Sequence, residues 1–100
     1  MPTVSNTYSS ETTIHSTPSD KITKVKSILF SNSGEESVTV ELKDSFNDVH
    51  GNSVEKTRLL CVVDAGDTVH FRQVDIDFYG DMKIVPSGAV MATITFEEVD

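Results

Sequence analysis

From Lys21 onward, apolar and polar residues alternate in short runs separated by turn chemistry. Val38, Val40 and Leu42 interleave with Thr39, Glu41 and Lys43, the two-residue period of a strand with one face buried and the other in water. The same period recurs at Val69 and Phe71 against Thr68 and His70, at Val74, Ile76 and Phe78 against Asp75 and Asp77, and at Ala92, Ile94 and Phe96 against Met91, Thr93 and Thr95. Ile22 to Ser31 is rich in β-branched and apolar residues and stops at Asn32-Ser33-Gly34. Val54 to Val63 moves from Glu55, Lys56 and Arg58 into the apolar run Leu59 to Val63, and Met82 to Val85 lies between Gly80 and Pro86-Ser87-Gly88. Asn, Gly, Pro and Ser are turn formers, and Gly66 in Asp64-Ala65-Gly66-Asp67 can take a positive φ. No segment carries a convincing amphipathic helix of about ten residues or more. About seven short strands at this spacing predict an all-β fold, an antiparallel β-sandwich occupying residues 21–100. Its expected core is Val40, Leu42, Leu60, Val62, Phe71, Ile76, Ile94 and Phe96. Asp44 to Ser53, polar apart from Phe46 and Val49, reads as an exposed connection.

Residues 1–20 are built differently. Ten of them are Ser or Thr, Pro2 and Pro18 stand near the ends, and the apolar positions Val4, Tyr8 and Ile14 are scattered. Such a segment cannot form a core of its own. It reads as an extended N-terminal arm, flexible in isolation, and composition leaves two roles open: an arm ordered by lying along a neighbouring surface, or a dispensable tail. Tyr8 and Ile14 are its candidate partner-binding residues.

Composition narrows the function classes. One hundred residues, 37% hydrophobic and 24% charged, make one ordinary globular domain with a thin core. A formal charge of -8 repels phosphate backbones and anionic lipid, so neither nucleic acid nor membrane is an expected partner. No apolar run approaches the roughly 20 residues that span a bilayer, and the first residues lack the basic start and apolar stretch of a signal peptide. Lys21, Lys24 and Lys26 cluster, but Lys24 and Lys26 would share one face of a strand as a solvated edge. The one cysteine, Cys61, allows no intramolecular disulfide and sits among apolar neighbours, where a thiol behaves as a small hydrophobe.

The groups that could carry chemistry do not form a known constellation. Asp44, Asp48 and Glu55 fall at the first, fifth and twelfth positions of a calcium loop, but Phe46 takes the third and Val49 the glycine position, so the motif fails. Asp75, Asp77 and Gly80 mimic its opening, yet Tyr79 and Pro86 occupy the fifth and twelfth positions. His15, His50 and His70 show no metal-binding spacing, and there is no nucleophile elbow or phosphate loop. No catalytic residue, metal or cofactor is expected. Asp75, Asp77 and Asp81 are the acids that a carbohydrate-binding or hydrolytic alternative would use.

A resemblance adds to this reading. Residues 21–99 resemble a family of small virion structural proteins of tailed bacteriophages, especially those of cyanophages and other marine phages. The likeness rests on Lys24-Val25-Lys26-Ser27-Ile28-Leu29-Phe30-Ser31-Asn32, on the strand Val38 to Leu42, and on the turn Val63-Asp64-Ala65-Gly66-Asp67-Thr68-Val69. It ends with Val85-Pro86-Ser87-Gly88 and Ala92 to Glu98. His70-Phe71-Arg72 and Phe78-Tyr79-Gly80-Asp81 are bulkier and more polar than the family pattern, and residues 1–20 lie outside it. The resemblance implies a capsid decoration (cement) protein, made in the host cytoplasm and assembled on the virion. Its expected partners are the major capsid protein or other virion proteins, with a homotrimer as the favoured state. A neck, tail or fibre-associated component is the alternative within the same family.

Overall fold

The alternation is realised as nine antiparallel strands in a computed structural model that describes residues 2–100. They are β1 (Thr3–Tyr8), β2 (Thr12–Ser16), β3 (Ile22–Ser31), β4 (Val38–Asn47), β5 (Ser53–Val63), β6 (Thr68–Phe71), β7 (Ile76–Phe78), β8 (Asp81–Pro86) and β9 (Val90–Val99). One sheet runs β1-β9-β3-β6, with β7 also on β3, and the other runs β2-β8-β4-β5. Because β9 occupies one side of β3 along its length, β6 and β7 share the other side. β6 pairs with Ile28 to Ser31 and β7 with Thr23 to Val25, and between them the Val74 N–H donates to the Lys26 carbonyl at 3.1 Å. Counted as one interrupted edge strand, β6 and β7 give the strand order of an eight-stranded jelly roll, a two-sheet sandwich of nested hairpins. The expected antiparallel sandwich is therefore present, with nine strands in place of about seven.

The two extra strands come from the segment read as an arm. β1 lies on β9 with Val4 opposite Ile94 and Tyr8 opposite Val90, and β2 lies on β8. The neighbouring surface that orders this segment is the chain's own body. On the outer side, Ser5 and Thr93 hydroxyls meet at 2.8 Å and those of Thr3 and Thr95 at 3.2 Å, so the Ser/Thr-rich composition supplies cross-strand pairs of the kind that stabilise sheets. Tyr8 is buried within the core, where burial pushes its phenol above the usual value. Ile14 is half-buried against the same core. Neither residue is free to grip a partner as expected: the side chains that would have anchored an arm complete this sandwich instead.

Three bulges decide which residues face inward. The β3–β9 register shifts across Lys26, and the buried positions change from Thr23 and Val25 to Ile28 and Phe30. One extra residue reverses the parity of every side chain beyond it. A second shift skips Arg58 in β5, so Leu59 lies opposite Leu42 and Cys61 opposite Val40. Opposed residues share a face, which places Leu59, Cys61 and Val63 inward and turns Leu60 and Val62 out. Those two, expected in the core, are 62% and 56% exposed. A third shift falls at Ile14 in β2. Of the remaining expected core residues, Val40, Leu42, Ile94 and Phe96 are buried, while Phe71 and Ile76 pack on the core from the edge.

The connection expected over Asp44 to Ser53 is shorter. β4 continues to Asn47 and β5 begins at Ser53. Asp48 holds the intervening turn by accepting the His50 and Asn52 N–H groups, each at 2.9 Å, with Gly51 at φ 79°. At the opposite end, buried Asn32 ties two loops together. Its Nδ2 donates to the Glu36 and Val63 carbonyls at 2.7 and 3.0 Å, and its Oδ1 accepts the Gly34 N–H at 2.9 Å. Asn32→Ala leaves those groups without a side-chain partner, and a loss of about 1–3 kcal/mol is expected, read as a lower denaturation midpoint.

Candidate interaction surface

Two features of the exterior stand out, and both are set by β5. The first begins with Asp44, which follows Val38, Val40 and Leu42 on the inward face of β4 and is fully buried. A carboxylate there must be neutralised and hydrogen-bonded. Arg58, displaced inward by its bulge, donates from Nη2 to Oδ2 at 2.8 Å. The Tyr79 N–H reaches Oδ2 at 3.0 Å and the Gly80 N–H reaches Oδ1 at 2.9 Å. The guanidinium carbon also stands 5.8 Å from the Phe46 ring centre and 5.6 Å from that of Tyr79, within range of cation–π attraction. The Asp44–Arg58 pair thus fixes the β7–β8 corner against β4.

Gly80 is required at that corner by close approach. A Cβ there would stand 2.0 Å from the Ser45 carbonyl oxygen and 2.8 Å from the Phe46 Cβ. Gly80→Ala forces the two backbones apart, and a loss of about 1–3 kcal/mol is expected from overpacking, measured by denaturant unfolding.

Beside the corner is an open depression of about 570 Å³, bordered by Lys21, Phe46, Asn47, Ser53, Tyr79 and Asp81 among others. Tyr79 is 47% exposed there. Asp77, by contrast, pairs with Lys24 at 3.0 Å, and Asp75 is exposed beside the β6–β7 break. The three acids of the carbohydrate alternative are therefore divided between different surroundings. No group of three or more His, Cys, Asp or Glu side chains placed to hold a metal is found among the described residues.

The second feature is the outer face of the β2-β8-β4-β5 sheet where it meets the free edge of β5. Glu41 lies between Leu60 on β5 and Val85 on β8, and Thr39 lies opposite Val62. Three apolar side chains therefore surround one carboxylate at this end of the face. Towards the other end the outward residues are polar: Thr57 donates its hydroxyl to Glu41, and Lys83 meets Glu55 at 3.4 Å. An apolar patch on a sheet face beside an unpaired edge marks an interaction site more often than a scattered exposed residue does. Cys61, between Leu60 and Val62, points inward and is half-buried; burial pushes its thiol above the usual value.

The remaining candidates are dispersed. The three lysines noted in the sequence are each met by an acid: Lys21 by Asp100 at 2.7 Å, Lys24 by Asp77, and Lys26 by Glu97 at 3.4 Å. They form no bare cationic surface. His15 packs on Phe96 at 4.3 Å, and its Nε2 lies 2.9 Å from Glu98 Oε1 but out of line for a straight hydrogen bond. His50 occupies the β4–β5 turn and His70 the outward side of β6, both exposed. The sequence missed the apolar patch because an uninterrupted run from Leu59 to Val63 suggests burial on both sides; the bulge at Arg58 and the edge position of β5 were the facts needed. Compared with known protein families, curated proteins and solved structures, the chain matches none.

Proposed function

We propose that this protein is a virion structural protein of a tailed phage, a decoration protein that attaches to the outer shell of the head through the Leu60–Val62–Val85 patch. The virion assignment rests on the sequence resemblance. The mode of attachment rests on one observation: Leu60 and Val62 stand 62% and 56% exposed on one sheet face, where exposure is unfavourable unless something covers them. Fully burying a side chain of this size contributes about 1.5–3 kcal/mol; covering the part still exposed contributes roughly half of that per residue, and a shell presenting many equivalent sites multiplies it through avidity. The N-terminal segment is part of the body, so the attachment proposed here does not require an arm.

The test is attachment of purified protein to undecorated heads of the phage that encodes it. Leu60→Glu and Val62→Glu should each weaken attachment roughly tenfold or more while keeping the β-sheet circular-dichroism spectrum; the melting midpoint should stay nearly unchanged for Val62→Glu and fall slightly for Leu60→Glu, which sets a second carboxylate opposite Glu41. Attachment indifferent to both changes would exclude the patch. The number of copies per particle separates the head from the neck or tail, where six or twelve are expected in place of hundreds.

One observation favours a second reading. Tyr79 is held rigidly by its backbone bond to Asp44 and by the Arg58 guanidinium, and it presents an open ring beside Asn47 and Asp81. A fixed aromatic with adjacent amide and carboxylate groups suits a sugar ring. Tyr79→Ala abolishing retention on a glycan surface would favour carbohydrate binding over shell decoration.

A further inference from the structure

We infer that β5 is also a self-complementary edge, and that two copies of this chain pair through it across a two-fold axis into one continuous eight-stranded sheet. The inference rests on the reading of β5 as a contact strand, but its partner differs: the sheet edge takes a second copy, and the outer face remains for the shell.

β5 is an edge strand of eleven residues. Natural sheets protect such edges with charges, prolines or bulges. Here the bulge at Arg58 and the charges of Glu55, Lys56 and Arg58 guard only the first half. The second half, Leu59 to Val63, contains no charge and no proline. Its open backbone positions can be satisfied by an antiparallel partner strand.

Symmetry and side-chain parity restrict the register. For outer faces to meet outer faces across a two-fold axis, residue i must oppose a residue of the same parity. Three such centres lie in the interior of the run. Centring on Leu60 sets Val62 against the charged Arg58, and centring on Val62 sets Leu60 against Asp64. Centring on Cys61 opposes Leu60 to the second copy's Val62 and Leu59 to its Val63, so all five apolar residues are used. In that register Arg58, already paired with Asp44, falls opposite Asp64, and Asp67 falls opposite Glu55, so the exposed Lys56 opposite Gly66 is the cation that meets the exposed acidic turn Asp64 to Asp67 of the other copy. The self-pairing closes at two copies, in place of the trimer expected from the resemblance, and it joins the two Leu60–Val62 patches into one larger patch at the dyad.

Cys61 reports this geometry. Opposed residues of an antiparallel pair have Cα atoms about 4.5–5.5 Å apart, within the span of a disulfide. Diamide should therefore link two chains, the two thiols giving up two electrons and two protons as the oxidant is reduced to its hydrazide. In sedimentation experiments at tens of micromolar, reduced wild-type protein and Cys61→Ser should both show twice the 11.0 kDa chain mass. Leu60→Glu should weaken dimerisation about a hundredfold and suppress the diamide cross-link. In a Cys61→Ser background, Leu60→Cys combined with Val62→Cys should cross-link, whereas Leu60→Cys alone should not, its two copies being offset along the strands. A chain that sediments as a monomer up to hundreds of micromolar, or that dimerises with Leu60→Glu unimpaired, overturns the inference. A monomer that still attaches to heads through Leu60 and Val62 would sink the dimer and leave the proposed function standing; a dimer that ignores heads would do the reverse.

Discussion

Deleting residues 1–16 is expected to leave a chain that no longer unfolds cooperatively and that aggregates at micromolar concentration. The deletion removes β1 from one sheet and β2 from the other. Backbone groups of β9 and β8 lose their partners, and the core residues Val90, Ala92, Ile94, Met82 and Ile84 lose the strand beside them. Loss of Tyr8 alone, an aromatic within the core, costs about 3–5 kcal/mol. The whole stability of a domain this size is about 5–15 kcal/mol, so losing two strands exceeds what it can absorb. A free arm predicts the opposite, an unchanged melt, and a thermal melt followed by circular dichroism separates the two. Tyr8→Ala in the full chain supplies the graded comparison: a cooperative but lower transition.

Asp44→Ala is expected to be the most damaging single substitution of a charged residue in the chain. It leaves Arg58 partly buried without its counterion, its Nε already lacking a partner, and strips the Tyr79 and Gly80 N–H groups of their acceptor. Breaking a buried pair from one side typically costs about 3–5 kcal/mol because a charge is left uncompensated. Glu41→Ala, by contrast, removes a partly exposed carboxylate on the outer face that accepts the Thr57 hydroxyl and has Lys43 3.9 Å away, and a change below about 1 kcal/mol is expected. If the uncompensated charge is the cause, Asp44→Leu combined with Arg58→Met should recover much of the loss. Denaturant titrations of the four proteins decide it: equal losses at Asp44 and Glu41, or a double variant no better than Asp44→Ala, would refute this assignment.

Parity explains which parts of the structure were legible in the sequence. Where a strand carries no bulge, as in β4 and β9, alternation placed Val40, Leu42, Ile94 and Phe96 correctly inside. In β5, a single inserted residue at Arg58 sets the faces, and the sequence carries no local mark of it; the run Leu59 to Val63 therefore reads as buried on both faces, whereas Leu60 and Val62 are exposed. Residues 1–20 failed for another reason. Their apolar positions are too few to announce a strand, since β1 needs only Val4 and Tyr8 inward and fills its outer side with Ser and Thr. The buried role of Asp44 was equally hidden: it continues the inward series of β4, but a carboxylate in that position looks like the start of a loop until Arg58 and the β7–β8 corner are seen to meet it. The depression beside Tyr79 depends on the same corner, and no linear motif marks it.

On the function proposed, the second half of β5, with its outer face, is where this protein meets other proteins. Hydrogen exchange tests it most directly, measured on the protein at nanomolar concentration, at high concentration, and bound to heads. Slowed exchange is expected to centre on residues 59–63 and their neighbours on β4 and β8 as contacts form, with the β4–β5 turn and the depression beside Tyr79 unchanged. Exchange in residues 59–63 that stays the same in all three states, while another surface becomes protected, would contradict it.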